Sequence, residues 1–213
     1  MPVKPAPRKS VAPAVARRCG WALSAPEYLV YHDTEWGRPV LTDNGLYERL
    51  CLEGFQAGLS WITVLRRREG FRAAFKDFQI EAVARFGPRE VARLLQDTHI
   101  IRHRGKIEAT IESARRALET IADMGSLARL LWSFRPSPGR APATIATIPA
   151  RTPESIALSK ELKRRGFRFV GATTTYAVMQ ACGLVNDHIR GCWVRPAVES
   201  EQLAAVRRLS KLR

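Results

Sequence analysis

The sequence predicts an all-α fold, and three observations carry that prediction. Apolar residues recur at three- and four-residue spacing through most of the chain. Prolines open several of these stretches and glycines close them, as helix ends require. No stretch alternates apolar and polar residues for long enough to make a strand, and no segment repeats. With 213 residues, 46% of them hydrophobic, the chain buries a core without disulfide or metal staples.

The helical stretches follow in order. "APEYLVYHDTEW" starts with Pro26 in a first-turn position and Ser24 upstream as a cap. "TDNGLYERLCLEGFQAG" opens at Thr42 or Asp43 and carries Leu46, Leu50, Glu53 and Ala57 on one stripe. "SWITVLRRREGFRAAFKDF" continues as helix, then "EAVARFG", then "PREVARLLQD" from Pro88. "KIEATIESARRALETIADMG" is a long amphipathic helix closing on Gly125, and "SLARLLWSF" follows it. "RPSPGRAPATIATIPART" is a proline-rich loop, after which "PESIALSKELKRR" resumes the helical pattern.

Composition narrows the function. Thirty-five Lys and Arg against twenty Asp and Glu leave a net charge of +15, which points either to a polyanionic partner, nucleic acid first, or to ordinary solvated arginines. No apolar run nears the roughly 18 residues of a membrane span. The start, "MPVKPAPRKSVAPAVARR", has prolines where a secretory signal needs a continuous apolar core, so residues 1–17 read as a disordered basic arm and the protein as cytoplasmic. Four cysteines are too few for a disulfide framework; Cys51 and Cys182 lie in apolar helical patterns and read as buried small residues. Cys19 and Cys192 lie outside such patterns. In "GLVNDHIRGC" the four-residue step from His188 to Cys192 suits either two metal ligands or a surface histidine and a buried thiol.

"ELKRRGFRFVGATTTYAVMQACG" is a helical hairpin spanning about 161–182. A basic helix stops at Gly166, and a second helix starts at Gly171 with its first backbone N–H groups free for an anion. Lys163, Arg164, Arg165 and Arg168 surround that point, making it either a dock for a DNA phosphate or a plain hairpin with a basic face. Glu53 stands on the core side of its helix, where a carboxylate costs free energy unless it is paired or used. Tyr28, Tyr31 and Trp61 lie near it in the pattern. This is either a cavity for a flat, cationic heterocycle or a helix-edge glutamate among core aromatics.

The blocks "CGW", "YHDTEWG", "CLEGFQAGLSWITVLRRRE", "IIRHRGKI", "LSKELKRRGFRFVG" and "MQACGLVNDHIRGC" resemble the DNA-3-methyladenine glycosylase I family of helix-hairpin-helix glycosylases, from about Arg18 to Pro196. The resemblance implies one helical glycosylase domain over 18–196, with 197–213 left as a basic tail. It implies one structural zinc per chain on Cys19, His32, His188 and Cys192, joining the N- and C-terminal segments. Glu53 then accepts hydrogen bonds from the purine's amino edge, Trp61 stacks on the ring, Tyr31 helps enclose it, and Tyr28, Trp21 and Trp36 line or brace the pocket. Gly166, Arg168, Gly171, Arg165 and Lys163 contact the DNA backbone. Leu59, in "AGLS", is either a wedge that fills the gap left by the flipped base or simple core packing. His99 and His103 are the remaining histidines, in a segment that reads as DNA-side or capping.

The implied reaction is hydrolytic removal of N3-methyladenine from alkylated duplex DNA by a cytoplasmic, bacterial monomer that sits on the nucleoid when bound to DNA. Two features of the sequence imply a monofunctional enzyme that leaves an abasic site. Asn186 holds the place where many hairpin glycosylases have a catalytic aspartate, which leaves Asp187 as a structural group or a support for His188. Thr173 stands where bifunctional relatives carry a nucleophilic lysine. Phe55 departs from the glutamine that several relatives carry at its position, and Gln56 is retained.

Overall fold

The computed structural model describes residues 16–211; most of the expected N-terminal arm, residues 1–15, and the last two residues lie outside them. Among the described residues every regular element is helical. None of the helices is long and apolar enough to cross a membrane.

A 3-10 turn, Gly20–Leu23, leads into α1, Pro26–Thr34. Pro26 takes the expected position, but Ala25 is the residue that precedes the helix. Ser24 instead closes the 3-10 turn, its hydroxyl donating to the Trp21 carbonyl at 2.7 Å. Helix α2, Asp43–Gln56, buries Leu46, Leu50 and Glu53 on one face. Asp43 opens α2 but serves a different helix: its carboxylate accepts the Leu127 and Ala128 N–H groups at 2.8 and 3.3 Å. It thereby satisfies donors at the start of α8, Leu127–Ser133.

The continuous helix expected after Ser60 is broken. It becomes α3, Trp61–Leu65, then α4, Arg68–Ala74, then a left-handed turn at Lys76, Asp77 and Phe78 with φ of 53°, 52° and 52°. Non-glycine residues adopt that conformation only under constraint. The constraint here is the core, in which Phe78 stacks on Phe75 at 5.7 Å and meets Tyr47 edge-on at 5.9 Å. Helices α5, Ile80–Ala84, and α6, Pro88–Gln96, follow, the latter capped at its start by Glu90, which accepts the Gly87 N–H at 2.8 Å.

Helix α7, Arg104–Met124, is the central post. His103 caps its start by accepting the Lys106 N–H at 3.3 Å, and Gly125 ends it at φ +82°. Ile107, Ile111, Ala114 and Ala117 face the main core. Lys106 is buried, and its ammonium donates to the Phe55 and Ala57 carbonyls at 2.9 and 2.6 Å. These carbonyls end α2, so Lys106 fixes the turn that leads from Ala57 to Ser60.

Helices α9, Pro153–Arg164, and α10, Ala172–Ala181, form the expected hairpin. The turn passes through Gly166 at φ +90°, where a Cβ would also meet the Arg116 side chain at 3.0 Å. The last helix, α11, Arg195–Ser210, occupies most of the segment read as a basic tail. It buries Val198, Gln202 and Ala205, with Val198 joining a second apolar cluster that includes Cys19, Tyr31, Trp36 and Cys192.

Candidate active site and metal centre

Helices α1, α2, α3 and α10 converge on a cavity of about 230 Å³. Glu53, Tyr31, Trp61, Tyr28, Trp21 and Trp36, the six residues singled out for base binding, all line it. The aromatic wall is braced at right angles, Trp21 meeting Tyr28 at 5.5 Å and Trp36 at 5.1 Å between ring centroids. Tyr31 and Trp61 pack against each other at a tilt, 5.5 Å between ring centroids. Tyr28 is fixed at its other end, where its hydroxyl accepts the Ile62 N–H at 2.9 Å.

Glu53 is 4% exposed and its side chain makes no hydrogen bond with the described residues. Burial pushes its carboxyl up to about 8, and Arg49, one helical turn earlier on α2, pulls the other way. Arg49 is itself held from behind. Glu35 accepts from Arg49 at 2.8 Å and from Arg68 at 2.6 and 2.8 Å. Burial alone would raise the Glu35 carboxyl, but Arg68 and Arg49 overcome it and hold it below its ordinary value. Among the described residues two buried donors are left without partners here: Trp61 Nε1, on a residue that lines the cavity, and Arg49 Nη1, on the residue one turn before Glu53.

Cys19, His32, His188 and Cys192 come together from opposite ends of the chain, all buried, with their ligand atoms within 4.8 Å of one another. His32 Nε2 and His188 Nδ1 lie 3.2 Å apart; Cys192 Sγ lies 3.5 and 3.6 Å from them, and Cys19 Sγ 3.8 Å from His188. Each imidazole spends its other nitrogen outside the cluster, His32 Nδ1 on Asp33 at 2.8 Å and His188 Nε2 on the Trp36 carbonyl at 3.0 Å. Lone pairs of both rings are thereby turned inward, the orientation that metal-ligating histidines have. The two thiols split a proton unevenly. Cys192 is held low, first by the Cys19 thiol and then by His188 and His32, while the same Cys192 contact and burial raise Cys19. This group could hold a metal ion.

At the hairpin the basic residues are not equivalent. Arg165 is 16% exposed in its side chain and is engaged by Glu161 at 2.7 Å and Asp123 at 3.0 Å. Arg164 also pairs with Glu161. Arg168 and Lys163 are exposed beside Gly166, and Gly171 precedes α10 with no side-chain cap. Leu59, 42% exposed on the turn that Lys106 holds, points outward and does not pack in the core. Phe55 does the reverse: it is buried against Phe71 at 4.5 Å, so the departure from glutamine lies in the core and Gln56 is the residue at the cavity. His99 is exposed beside Asp97, and His103 caps α7.

Several participants were not singled out from the sequence. Arg49 had a legible signal, since it precedes Glu53 by four residues and so shares its face. Gln180 lines the cavity with Ala177 and was hidden within the apolar run "AVMQACGL". Asp187 does not support His188. Its carboxylate accepts from the Tyr176 hydroxyl at 2.7 Å and the Gln180 amide at 2.8 Å.

The family model described as methyladenine glycosylase matches residues 21–195. The chain belongs to the methyladenine glycosylase family. It is therefore a DNA glycosylase, a hydrolase of N-glycosyl bonds. It is 50% identical over 182 residues to DNA-3-methyladenine glycosylase 1 of Escherichia coli, covering 84% of this chain and 97% of that one. A crystal structure of 3-methyladenine DNA glycosylase I superposes with a TM-score of 0.80 at 51% identity, covering 83% of this chain and 98% of the other. The Staphylococcus aureus enzyme, whose structure concerns 3-methyladenine recognition, superposes with a TM-score of 0.80 at 33% identity over 84% of this chain and 96% of its own. Cys19 and most of α11 lie outside the matched family region.

Proposed function

We propose that this methyladenine glycosylase excises N3-methyladenine from alkylated duplex DNA by hydrolysis and leaves an abasic site in an intact strand. The observation that carries the reading is Glu53: a buried carboxylate with no hydrogen-bond partner among the described residues, at the wall of a cavity built mainly of aromatic rings. A carboxylate in such a place is stabilised by a ligand that brings positive charge and N–H donors. N3-methylation makes the nucleoside's purine cationic and a good leaving group, so no acid is needed to protonate it. The flipped purine stacks on Trp61, Tyr31 helps enclose it, Glu53 accepts from its amino edge, and Trp21, Tyr28 and Trp36 line or brace the walls. A negative charge near the scissile bond also stabilises the cation that develops on the sugar as the base departs.

Monofunctional chemistry follows from what the chain lacks at two places. Thr173, in the first turn of α10, offers no amine for attack on the sugar. Asn186 cannot take a proton from water, and its amide donates to the Arg195 carbonyl at 3.2 Å. The free N–H groups after Gly171, with Gly166, Arg168 and Lys163, grip the DNA backbone, with Arg165 shaping the turn through Glu161. Leu59 enters the gap left by the extruded base. All these groups come from one chain, which fits a monomer acting in the bacterial cytoplasm, at the nucleoid when on DNA.

The metal is proposed to be zinc, one per chain and structural. Tetrahedral zinc, at about 2.3 Å from sulfur and 2.0 Å from nitrogen, sets its nitrogens about 3.3 Å apart and nitrogen and sulfur about 3.5 Å apart. The cluster's 3.2 Å between nitrogens and 3.5 to 3.8 Å between nitrogen and sulfur fit that arrangement. Four protein ligands leave no position for a water, so zinc here would fasten the segment holding Trp21 and Tyr31 to the end of the chain.

The test is incubation with methylated duplex DNA. Free 3-methyladenine and alkali-labile, unbroken strands are expected. Tight binding with no released base would favour a DNA-binding scaffold with an inactive pocket.

A further inference from the structure

Gln180 stands, with Trp21, Trp36 and Ala177, between the aromatic cavity and a second, adjoining one. It lines both, and the second, about 340 Å³, runs past Trp21 and Trp36 to Ile145, Ile148 and Thr173 at the start of α10. An amide side chain can offer such a space either its N–H₂ or its oxygen, and the two favour different ligands. The surroundings settle which one. The Gln180 Nε2 donates to Asp187 Oδ2 at 2.8 Å, and the same oxygen takes the Tyr176 hydroxyl at 2.7 Å. A carboxylate only accepts, so it cannot hold the amide by its oxygen. Tyr176 is almost fully buried, and its hydroxyl is raised well above its ordinary range by burial and then by Asp187, which keeps it a donor. The backbone is fixed too, the Gln180 carbonyl accepting the Gly37 N–H at 3.1 Å. What remains is Oε1, which takes no hydrogen bond from the described residues and is not sealed among the buried polar atoms that lack partners.

We propose that Gln180 is a specificity-determining residue, a second hydrogen-bond acceptor in the base pocket, and that Asp187 and Tyr176 are positioning residues that prevent its amide from turning over. This rests on the base-binding reading of the cavity and deepens it. With a Glu53 oxygen, the Gln180 Oε1 gives the cavity lining two acceptors for the ligand's edge, and Trp61 Nε1 is a donor there without a partner among the described residues. A purine with a 6-amino group satisfies such an edge. A 6-oxo purine sets its carbonyl oxygen against an acceptor and leaves both unpaired, a mismatch that binding sites reject strongly. The device selects adenine-type over guanine- or hypoxanthine-type alkylated bases without touching the methyl group.

The experiment compares 3-methyladenine with 3-methylhypoxanthine, each titrated against the quenching of tryptophan fluorescence, in the wild type, Gln180→Leu and Asp187→Asn. The wild type is expected to favour the 6-amino base. Gln180→Leu is expected to shrink that preference roughly tenfold. Asp187→Asn, whose amide can donate to Gln180 and free it to turn over, is expected to shrink it as well, with bound metal unchanged. A wild type without preference, or a Gln180→Leu protein of normal helicity that keeps the wild-type ratio, overturns the role of Gln180. An unchanged ratio in Asp187→Asn overturns the positioning role. Failure of the wild type to bind either base overturns the base-pocket reading itself, a different result from a bound base without discrimination.

Discussion

Arg49 and Glu53 stand one helical turn apart on α2, both turned inward, and only Glu53 faces the aromatic cavity. The arginine is the cation that opposes the burial of Glu53, while Glu35 and Arg68 hold it in place on the far side. The site therefore keeps a carboxylate poised between neutral and charged, with a fixed positive charge behind it. On the proposed base-binding reading, a cationic purine entering in front would complete the charge balance.

Glu53 makes stability fall as pH rises. Its folded-state value of about 8 lies above the ordinary 4.5, so between these values the unfolded chain has lost a proton that the folded one retains. The penalty is absent below about pH 4.5, grows through that interval and is complete above about pH 8. Glu53→Gln removes it. Urea melts of the variant and the wild type should diverge progressively from acid to pH 8, the variant being the more stable, by about 1.4 kcal/mol more for each pH unit crossed. Parallel curves would place Glu53 in a better-solvated setting.

Arg49→Met should move excision activity along the pH axis. Without its guanidinium, Glu53 loses the one group that lowers its pKa, and the carboxylate forms at higher pH. The acidic limb of the single-turnover rate on methylated DNA should shift upward in the variant. An unshifted limb with only a lower plateau would make Arg49 purely structural.

Removal of the metal should loosen the aromatic wall. Elemental analysis is expected to give about one zinc per chain, and Cys192→Ala to lose it together with several kcal/mol of stability. Because His188 also meets Trp36 at 4.7 Å between rings, the loss should appear in tryptophan fluorescence as well as in the melt. A Cys192→Ala protein with normal zinc would move the ion elsewhere.

The two arginines of the hairpin should separate. Arg168→Ala should flatten the dependence of log binding constant on log salt by up to about one unit. Arg165→Ala should leave that slope nearly unchanged and lower stability instead, since its charge is spent on Glu161 and Asp123. Equal effects on the slope would mean that both reach phosphate.

How much of this was legible in the sequence depends on whether a signal is local. The ends of α6, α7 and α9 could be read from Pro88, Gly125 and Pro153, and the hairpin from Gly166 and Gly171, because caps and turns depend on neighbours. Glu53, by standing on an apolar stripe, and Tyr28, Tyr31 and Trp61 near it were legible too, whereas Trp21 and Trp36 entered only through the family resemblance. Long-range choices were not. Nothing near Asp43 says that it caps α8, and the left-handed turn at Lys76–Phe78 exists because Phe78 must meet Phe75 and Tyr47. Helix α11 reads only as charge, since its buried face is the sparse set Val198, Gln202 and Ala205. Asp187 pairs most simply with its neighbour in sequence, whereas its partners lie back on α10.

The central claim is that Glu53, enclosed by rings, is the group that holds the methylated purine. It is tested most directly by calorimetric titration of free 3-methyladenine into the wild type and into Glu53→Ala of normal zinc content. A loss of affinity of at least roughly tenfold in the variant is the predicted result. Equal affinity in the two proteins would contradict it.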